Sequence, residues 1–167
     1  WDKAEQYYQE AFNISQRLNN IFSIYYSNLF LGLLHFDKGE YAKAREFVEK
    51  AYEVAEKSGA KYSQMLVSRW VIWTYIELGE IEKANNLIDS LQKYALEAND
   101  KQFIATADAL KAMLFRAQKK WEESIEHFEK SMQEFEAINA RQWNMYIFAK
   151  MVLSEYAQVY LERNQQG

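Results

Sequence analysis

The stretch KGEYAKA at residues 38–44 returns forty residues later as LGEIEKA at residues 78–84. Both copies contain a glycine, a glutamate, an apolar residue and an alanine in the same order. When the sequence is written in rows of forty residues, further columns agree. Tyr41 aligns with large apolar residues, and Ala44 aligns with small ones. The aligned residues are Trp1, Ile81 and Trp121, and Ala4, Ala84 and Ser124. Self-similarity at a fixed period of this length is typical of repeat architectures.

A second set of columns predicts where the helices end. One column holds only asparagine and glycine, at Asn19, Gly59, Asn99 and Asn139. These residue types tolerate the left-handed conformation that ends many helices. Each of the four follows a long amphipathic stretch, so we expect a helix C-terminus there. In the repeated motif, Gly39 and Gly79 are expected to form the tight turn between two helices. The unit is therefore helix A, a glycine turn, helix B and an Asn/Gly cap.

The composition favours an all-helical chain. The 167 residues are 49% hydrophobic, with five glycines, no proline and no cysteine. Proline and glycine are the commonest residues in sheet turns and irregular loops, so their scarcity argues against strands. The lack of cysteine excludes disulfides and thiol chemistry, and it fits a reducing compartment.

The repeat predicts eight antiparallel helices, stacked by nearest-neighbour contacts into one solenoid domain over residues 1–167. Residues 1–18 form helix B of a first unit, and residues 140–166 contain helix A of a last unit, from about Ala140 to Arg163. Three full units lie between them, at residues 20–58, 60–98 and 100–138. Solenoid ends normally carry polar caps. Because neither end has one, we expect the chain to be part of a longer protein.

The motif resembles the tetratricopeptide repeat family. That pattern has a small residue late in helix A, an aromatic residue one turn later, a Gly-x-aromatic turn and an Ala-x3-aromatic-x2-Ala run in helix B. Its positions are occupied by Gly32 and Ala112, Tyr75 and Phe115, and then Gly39, Tyr41, Ala44, Val48 and Ala51. The period is 40 rather than 34, the boundary proline is missing, and Ile72 is bulky where a small residue is expected. Longer units of this kind resemble those of MalT-like and peptide-sensing regulators. HEAT-type repeats are the structural alternative.

The two helix types differ in chemistry. Residues 41–58 carry eight charged side chains, whereas residues 21–36 carry none. Helix A is therefore expected to be inner and helix B outer, which the resemblance also implies. One stripe of helix A changes its chemistry between units, as expected for residues that contact a partner in a concave groove. Its predicted binding residues are Tyr26, Leu29, Leu33, Phe36, Arg69, Trp73, Ile76, Met113 and Arg116.

An open groove is not the only interpretation of this stripe, because neighbouring helices or another domain can also cover it. The two arginines bear on the choice, since an arginine on an apolar helix face is rarely left unpaired. We expect Arg69 and Arg116 to have acidic partners, either Glu77 or Asp108 within the chain or groups brought by a ligand.

Other classes of function are disfavoured. The net charge is −4 and there is no basic block, so nucleic-acid binding is not expected. No apolar run approaches the roughly 18–20 residues of a membrane span. His35 and His127 align with packing residues of sister units, and no metal, cofactor or catalytic motif is present. We expect a cytoplasmic, non-enzymatic module that binds a protein or peptide and regulates a larger signalling or transcription-regulating protein. The alternative is an intramolecular or self-association module, in which the groove or the solenoid ends pack on flanking domains or on another copy.

Overall fold

The computed structural model describes residues 1–138 and 143–165, which form eight helices and no strand. The predicted ends of the first seven helices agree with the structure to within one or two residues. This confirms the predicted all-α architecture of helical hairpins. The predicted cap at Asn139 and the predicted start of the last helix at Ala140 lie outside the described residues. The helices are α1 Asp2–Arg17, α2 Ile21–Asp37, α3 Tyr41–Lys57, α4 Lys61–Glu77, α5 Ile81–Glu97, α6 Lys101–Ala117, α7 Trp121–Ala137 and α8 Trp143–Asn164.

Every described turn between the first seven helices contains one residue with a positive φ. The expected residues are confirmed in five turns, with φ between 48° and 74° at Asn19, Gly39, Gly59, Gly79 and Asn99. In the turn between α6 and α7 the residue is Lys119, with φ 60°, which the sequence did not suggest. The backbone N–H groups of Gly39 and Glu40 donate to the carbonyls of Phe36 and His35, both at 2.9 Å. This pattern satisfies carbonyl groups that the end of a helix leaves without partners.

Within a hairpin the two helices approach closely because small residues stand at the contact. A Cβ atom placed on Gly32 would lie 2.5 Å from Cγ1 of Val48 and 3.2 Å from the Val48 backbone nitrogen. The small column on the B helices is fully buried at Ala44, Ala84 and Ser124. The small residue in the repeated motif therefore allows close helix packing, as predicted.

The chain forms two compact units, Trp1–Glu80 and Ile81–Gly167. Each compact unit contains more than one of the forty-residue repeats, and these two are called the first unit and the second unit. In the first unit α2 packs against α1, α3 and α4, and α3 also packs against α4. In the second unit α6 packs against α5, α7 and α8, and α7 also packs against α8. Each unit is thus built around a central A helix. The prediction that residues 1–167 form a single domain stays a prediction.

Burial separates the two helix types as expected. Eleven of the seventeen residues of α4 are buried. The outer helix α3 buries only Ala44, Val48, Ala51 and Ala55, which form one stripe. The charged residues of α3 occupy the rest of its surface, so helix A is inner and helix B outer.

Candidate functional site

Helix α2 presents three aromatic rings to solvent on successive turns. Phe22, Tyr26 and Phe30 are 68%, 36% and 41% exposed. The ring centroids of Phe22 and Tyr26 are 4.7 Å apart, and those of Tyr26 and Phe30 are 6.0 Å apart. Residues four positions apart lie on one face of a helix, so the rings form a continuous stripe. Scattered exposed apolar residues are normal on proteins, whereas a contiguous aromatic stripe is a candidate interaction surface.

The stripe forms one wall of an open groove between α1 and α2. The groove has a volume of about 470 Å³. Tyr8 of α1 stacks on Phe30 with centroids 5.7 Å apart, and Ser15 Oγ lies 3.2 Å from Ser27 Oγ. No lining residue is charged; the lining residues are Tyr8, Ala11, Ile14, Ser15, Phe22, Ser23, Tyr26, Ser27 and Phe30. We call this feature the α1–α2 groove. Its aromatic wall and its small side chains suit bulky apolar side chains of a ligand.

Sister positions in later A helices are covered. Phe30 aligns with Trp70, which is 8% exposed, and with Leu110, which is 0% exposed. In the first unit, Trp70 contacts Phe36 of the preceding A helix with centroids 6.1 Å apart. Helix α4 therefore uses this face to contact the preceding A helix, α2, whereas α2 leaves its own equivalent face exposed.

The predicted binding residues do not lie on one exposed surface. Among those in the first unit, Tyr26 is exposed and Leu33 is half-buried. The other predicted residues of the first unit are buried, and they are Leu29, Phe36, Arg69, Trp73 and Ile76. In the second unit Met113 is fully buried and the Arg116 side chain is 15% exposed. Partner binding by this set stays a prediction, and Tyr26 is the member that solvent reaches most easily.

The buried aromatic residues of that set form part of the first unit's core. Trp73 stacks on Trp70 with centroids 5.8 Å apart and meets Phe36 edge-on at 5.2 Å. The Trp73 indole N–H donates to Glu77 Oε1 at 3.2 Å. Such aromatic pairs prefer offset-stacked or edge-to-face geometry and are worth about 0.5–1.5 kcal/mol beyond area burial. In the first unit, the helix A stripe whose residue types vary between repeats therefore packs helices together.

Arg116 is paired inside the chain, but with acids that differ from the predicted ones. Its guanidinium contacts Glu155 at 2.8 Å and Glu162 at 3.1 Å, and both glutamates lie on α8. Asp108, a predicted partner, is instead contacted by His127 and Lys130. The prediction that Arg116 pairs with Glu77 or Asp108 within the chain is therefore wrong. The repeat gave no reliable register for α8, so the sequence offered no way to find these two glutamates.

Arg69 lies among aromatic rings of the first unit. Its side chain is buried, and its guanidinium carbon lies 5.5 Å from the centroid of the Trp70 ring. Burial lowers the pKa of Arg69 to about 10, while the nearby Tyr25 and Tyr62 act in the opposite direction. The guanidinium therefore stays charged at neutral pH. A cation over an aromatic face is electrostatically favourable when both are desolvated.

A buried polar cluster occupies the second unit. Asp108 is almost fully buried, and its carboxylate contacts His127 Nδ1 at 2.8 Å and Lys130 Nζ at 2.9 Å. Glu134 also faces this carboxylate, and its pKa is raised by burial and then by the charge of Asp108, while Lys130 opposes the shift. The charge of Asp108 is thus balanced within the hairpin, as expected for a structural ion pair.

The two histidines occupy packing positions, as their columns predicted. His35 stacks on Phe47 with centroids 5.5 Å apart, and its Nδ1 lies 2.8 Å from Glu40 Oε2. That hydrogen bond is the main reason why the pKa of Glu40 is lowered to about 2. His127 packs against Phe115 with centroids 5.3 Å apart. In the part of the chain that the structure describes, no group of three His, Cys, Asp or Glu residues is placed to bind a metal.

Sequence reasoning missed most of the α1–α2 groove. It selected Tyr26 but not Tyr8, Phe22 or Phe30. A signal was present, since Phe22, Tyr26 and Phe30 are three aromatic residues at a spacing of four. That spacing alone does not distinguish a core stripe from an exposed one. Burial of the aligned positions in the other units supplies that distinction.

Comparison with known proteins supports the repeat class. The tetratricopeptide repeat family model matches residues 25–58, which span most of α2, all of α3 and the turn between them. No curated protein matches the chain. Tetratricopeptide repeats generally mediate protein–protein interactions and are generally non-catalytic scaffolds. No helix among the described residues is both long and apolar enough to cross a membrane. The resemblance to the longer repeats of MalT-like regulators stays a prediction.

Proposed function

We propose that this chain is a protein-binding scaffold whose α1–α2 groove receives an apolar helical segment of a partner. The observation that carries the proposal is the exposed stripe of Phe22, Tyr26 and Phe30 beside an open, uncharged groove. Aligned positions at Trp70 and Leu110 are covered. The surface therefore has the chemistry of a helix-packing face that no described helix of the chain covers.

The geometry suits a helix better than an extended peptide. An amphipathic helix binds such a groove with apolar anchors at positions i, i+3, i+4 and i+7. The rings of α2 repeat every four residues, so a helix lying alongside α2 meets one ring per turn. Exposed tyrosine and phenylalanine supply large contact area with few rotatable bonds, which makes aromatic residues frequent hot spots of interfaces.

The partner is expected to be anchored by apolar rather than acidic side chains. The groove lining carries no charge. Arg116, from which an acidic ligand was predicted as one alternative, already binds two glutamates. We therefore propose that the partner brings a leucine- or aromatic-rich helical face, and that it brings few charges onto that face, since unpaired buried charges are costly.

A peptide selection tests this function and does not require the partner to be identified first. Displayed peptides of about 20 residues, long enough for a helix of about 30 Å, are selected on the native chain. They are then counter-selected on the Phe30→Lys variant. We expect enrichment of amphipathic sequences whose binding is lost in Phe30→Lys and retained in Leu96→Lys, because Leu96 is an exposed leucine on α5. Enriched peptides that bind Phe30→Lys equally well would contradict the proposal.

The wider setting follows from the same features. We propose a cytoplasmic, non-enzymatic module that regulates a larger signalling or transcription-regulating protein by holding a helical segment. The tetratricopeptide repeat match and the acidic net charge of −4 support binding of protein over nucleic acid.

A further inference from the structure

We propose that the helix received by the α1–α2 groove is α8 of a second copy of this chain, so that copies associate head to tail. This inference rests on the proposed function, because it names the occupant of the same groove. It is carried by the repeat register of α1 and α2, which shows which of their faces correspond to faces that other helices of the chain cover, and by the packing and exposure of α8.

Helix α1 has an incompletely covered B-type face. In the later B helices, four columns of this face are buried, including Val48, Ile88 and Phe128 in one column. Of the four matching residues in α1, Ala4 and Tyr8 are half-buried, Ala11 is exposed and Ser15 is buried. Among the described residues, α1 packs against α2. Tyr8 and Ala11 line the α1–α2 groove.

Helix α2 supplies the second surface that an A helix needs. Within the first unit, α2 lies against its own B helix, α3, and beside the next A helix, α4. On its other side it exposes Phe22, Tyr26 and Phe30. An A helix lying in the α1–α2 groove would therefore pack on α1 in the way that α2 packs on its B helix, α3. It would also lie beside α2 in the way that α2 lies beside the next A helix, α4.

Helix α8 has the contacts of an A helix and one uncovered face. It packs against α7 and α6, as α4 packs against α3 and α2. Phe148, Val152 and Val159 are buried on this side. The opposite side exposes an uncharged face that consists of Leu153, Ser154, Ala157, Gln158 and Leu161. Leu153, Ala157 and Leu161 are four residues apart and form one stripe.

The exposed face of α8 contains small residues, which elsewhere in the chain allow helices to pack closely. In α2, Gly32 allows close approach to Val48. In α8, the small residues Ser154 and Ala157 stand between the larger Leu153 and Leu161. The small residues let α8 approach α1, and the leucines reach the rings of α2. Neither the face of α8 nor the groove lining carries a charge, so contact leaves no buried charge unpaired.

Such a contact is heterologous, because the face of α8 on one copy meets a different surface on the next. Heterologous contacts close into rings or continue into open assemblies. The native chain is therefore expected to sediment with a mass that rises above one chain as the protein concentration increases.

Complementation of two variants tests the proposal. Phe30→Lys disables the groove and keeps α8, whereas Leu161→Lys disables the α8 face and keeps the groove. We expect each variant alone to stay monomeric in sedimentation velocity, and an equal mixture to form a 1:1 complex of two chains. Leu96→Lys should associate like the native chain. Circular dichroism melts show whether each variant remains folded, and Tyr26→Ser and Leu153→Ser provide milder replacements if a lysine unfolds the chain.

The outcomes separate this inference from the proposed function. A native chain that stays monomeric at every concentration, or two variants that do not associate when mixed, would overturn the second copy as the occupant. The groove would still stand as a partner site if selected helical peptides bind the native chain and not Phe30→Lys. Loss of both results would overturn both proposals. Association of Phe30→Lys on its own would show that the chain assembles through another surface, and would overturn the groove as the contact between copies.

Discussion

At the residue scale, one backbone position distinguishes the turn between α6 and α7 from its two counterparts. Gly39 and Gly79 have φ of 74° and 71°, and Lys119 has the same left-handed conformation with φ 60°. Glycine adopts this conformation without strain, whereas a side chain with a Cβ atom meets the neighbouring carbonyl. The glycine turns were predictable from their repetition. Nothing indicated that a lysine would follow the same path, because nothing in its side chain favours a positive φ.

We therefore predict that Lys119→Gly stabilises the chain. The left-handed conformation costs about 1–2 kcal/mol for an L-residue, and the extra freedom of glycine in the unfolded state offsets about 0.5–1 kcal/mol of the gain. The free energy of unfolding in urea should rise by about 0.5–1 kcal/mol. Gly39→Ala is the matched control, since no heavy atom lies within 4 Å of its added Cβ. Gly39→Ala should lose stability because of its positive φ alone. An unchanged free energy of unfolding in Lys119→Gly would show that the left-handed conformation of Lys119 is not strained.

Gly32 tests the close approach of helices A and B. Alanine favours a helix by about 1 kcal/mol over glycine, yet the added Cβ would lie 2.5 Å from Cγ1 of Val48. Overpacking of this kind costs about 1–3 kcal/mol, so we expect Gly32→Ala to destabilise the chain. In a Val48→Ala background the same change should cost less or become favourable. A double-mutant cycle of urea unfolding measures this coupling, and additive effects would show that the two residues do not limit the packing.

Glu134 gives a pH-dependent prediction. Its pKa in the folded chain is raised, first by burial and then by Asp108. An acid with a raised pKa contributes stability below its unfolded pKa near 4.5, and this contribution is lost as the pH rises through the folded pKa. Glu134→Gln stays neutral, so its stability relative to the native chain should increase from pH 4 to pH 7. Urea unfolding at both pH values measures this, with the exposed Glu136→Gln as control. A difference that does not change with pH would refute the assignment.

At the scale of the element, the sequence predicted seven helices closely because a glycine or asparagine stop signal follows every one of them except α6, and because their apolar stripes keep a constant register. The last helix differs. It has 22 residues, whereas the others have 16 or 17. The spacing from Asn139 to Gly167 departs from that of the other units, so the columns could not be extended into it. Its glutamates at positions 155 and 162 bind Arg116, and the repeat alone could not place them.

The start of each A helix tests whether equivalent elements follow the same rules. The side chain of Asp100 accepts hydrogen bonds from the backbone N–H groups of Gln102 at 3.0 Å and Phe103 at 3.2 Å. At the equivalent position, Ala60 has no side-chain cap. Because an N-cap is worth about 0.5–2 kcal/mol, we expect Asp100→Ala to lose stability and Ala60→Asp to gain it. Thermal melts of both variants measure the two effects, and a loss in Ala60→Asp would contradict the equivalence of the units.

At the scale of the whole molecule, the class of architecture was easier to predict from the sequence than the binding surface. Repetition at forty residues fixes which helix faces pack together, so the all-α hairpins could be predicted from columns. Exposure depends on which neighbours are present, and a column carries no information about that. Phe36 and Trp73 vary between units, as binding residues do, yet they pack in the core of the first unit. Phe30 aligns with packing residues, yet it is 41% exposed.

Because the sequence contains no cysteine, the exposure of Phe30 and of its aligned residue Leu110 can be measured directly. A single thiol is introduced by Phe30→Cys or by Leu110→Cys, and its labelling rate is measured in dilute native protein and in denaturant. We expect the Phe30→Cys thiol to react nearly as fast in the native chain as in the unfolded one. The Leu110→Cys thiol should react roughly a thousandfold more slowly, because labelling requires an opening that costs several kcal/mol. Equal protection of both thiols would show that the α1–α2 groove is not open, and would contradict the central claim.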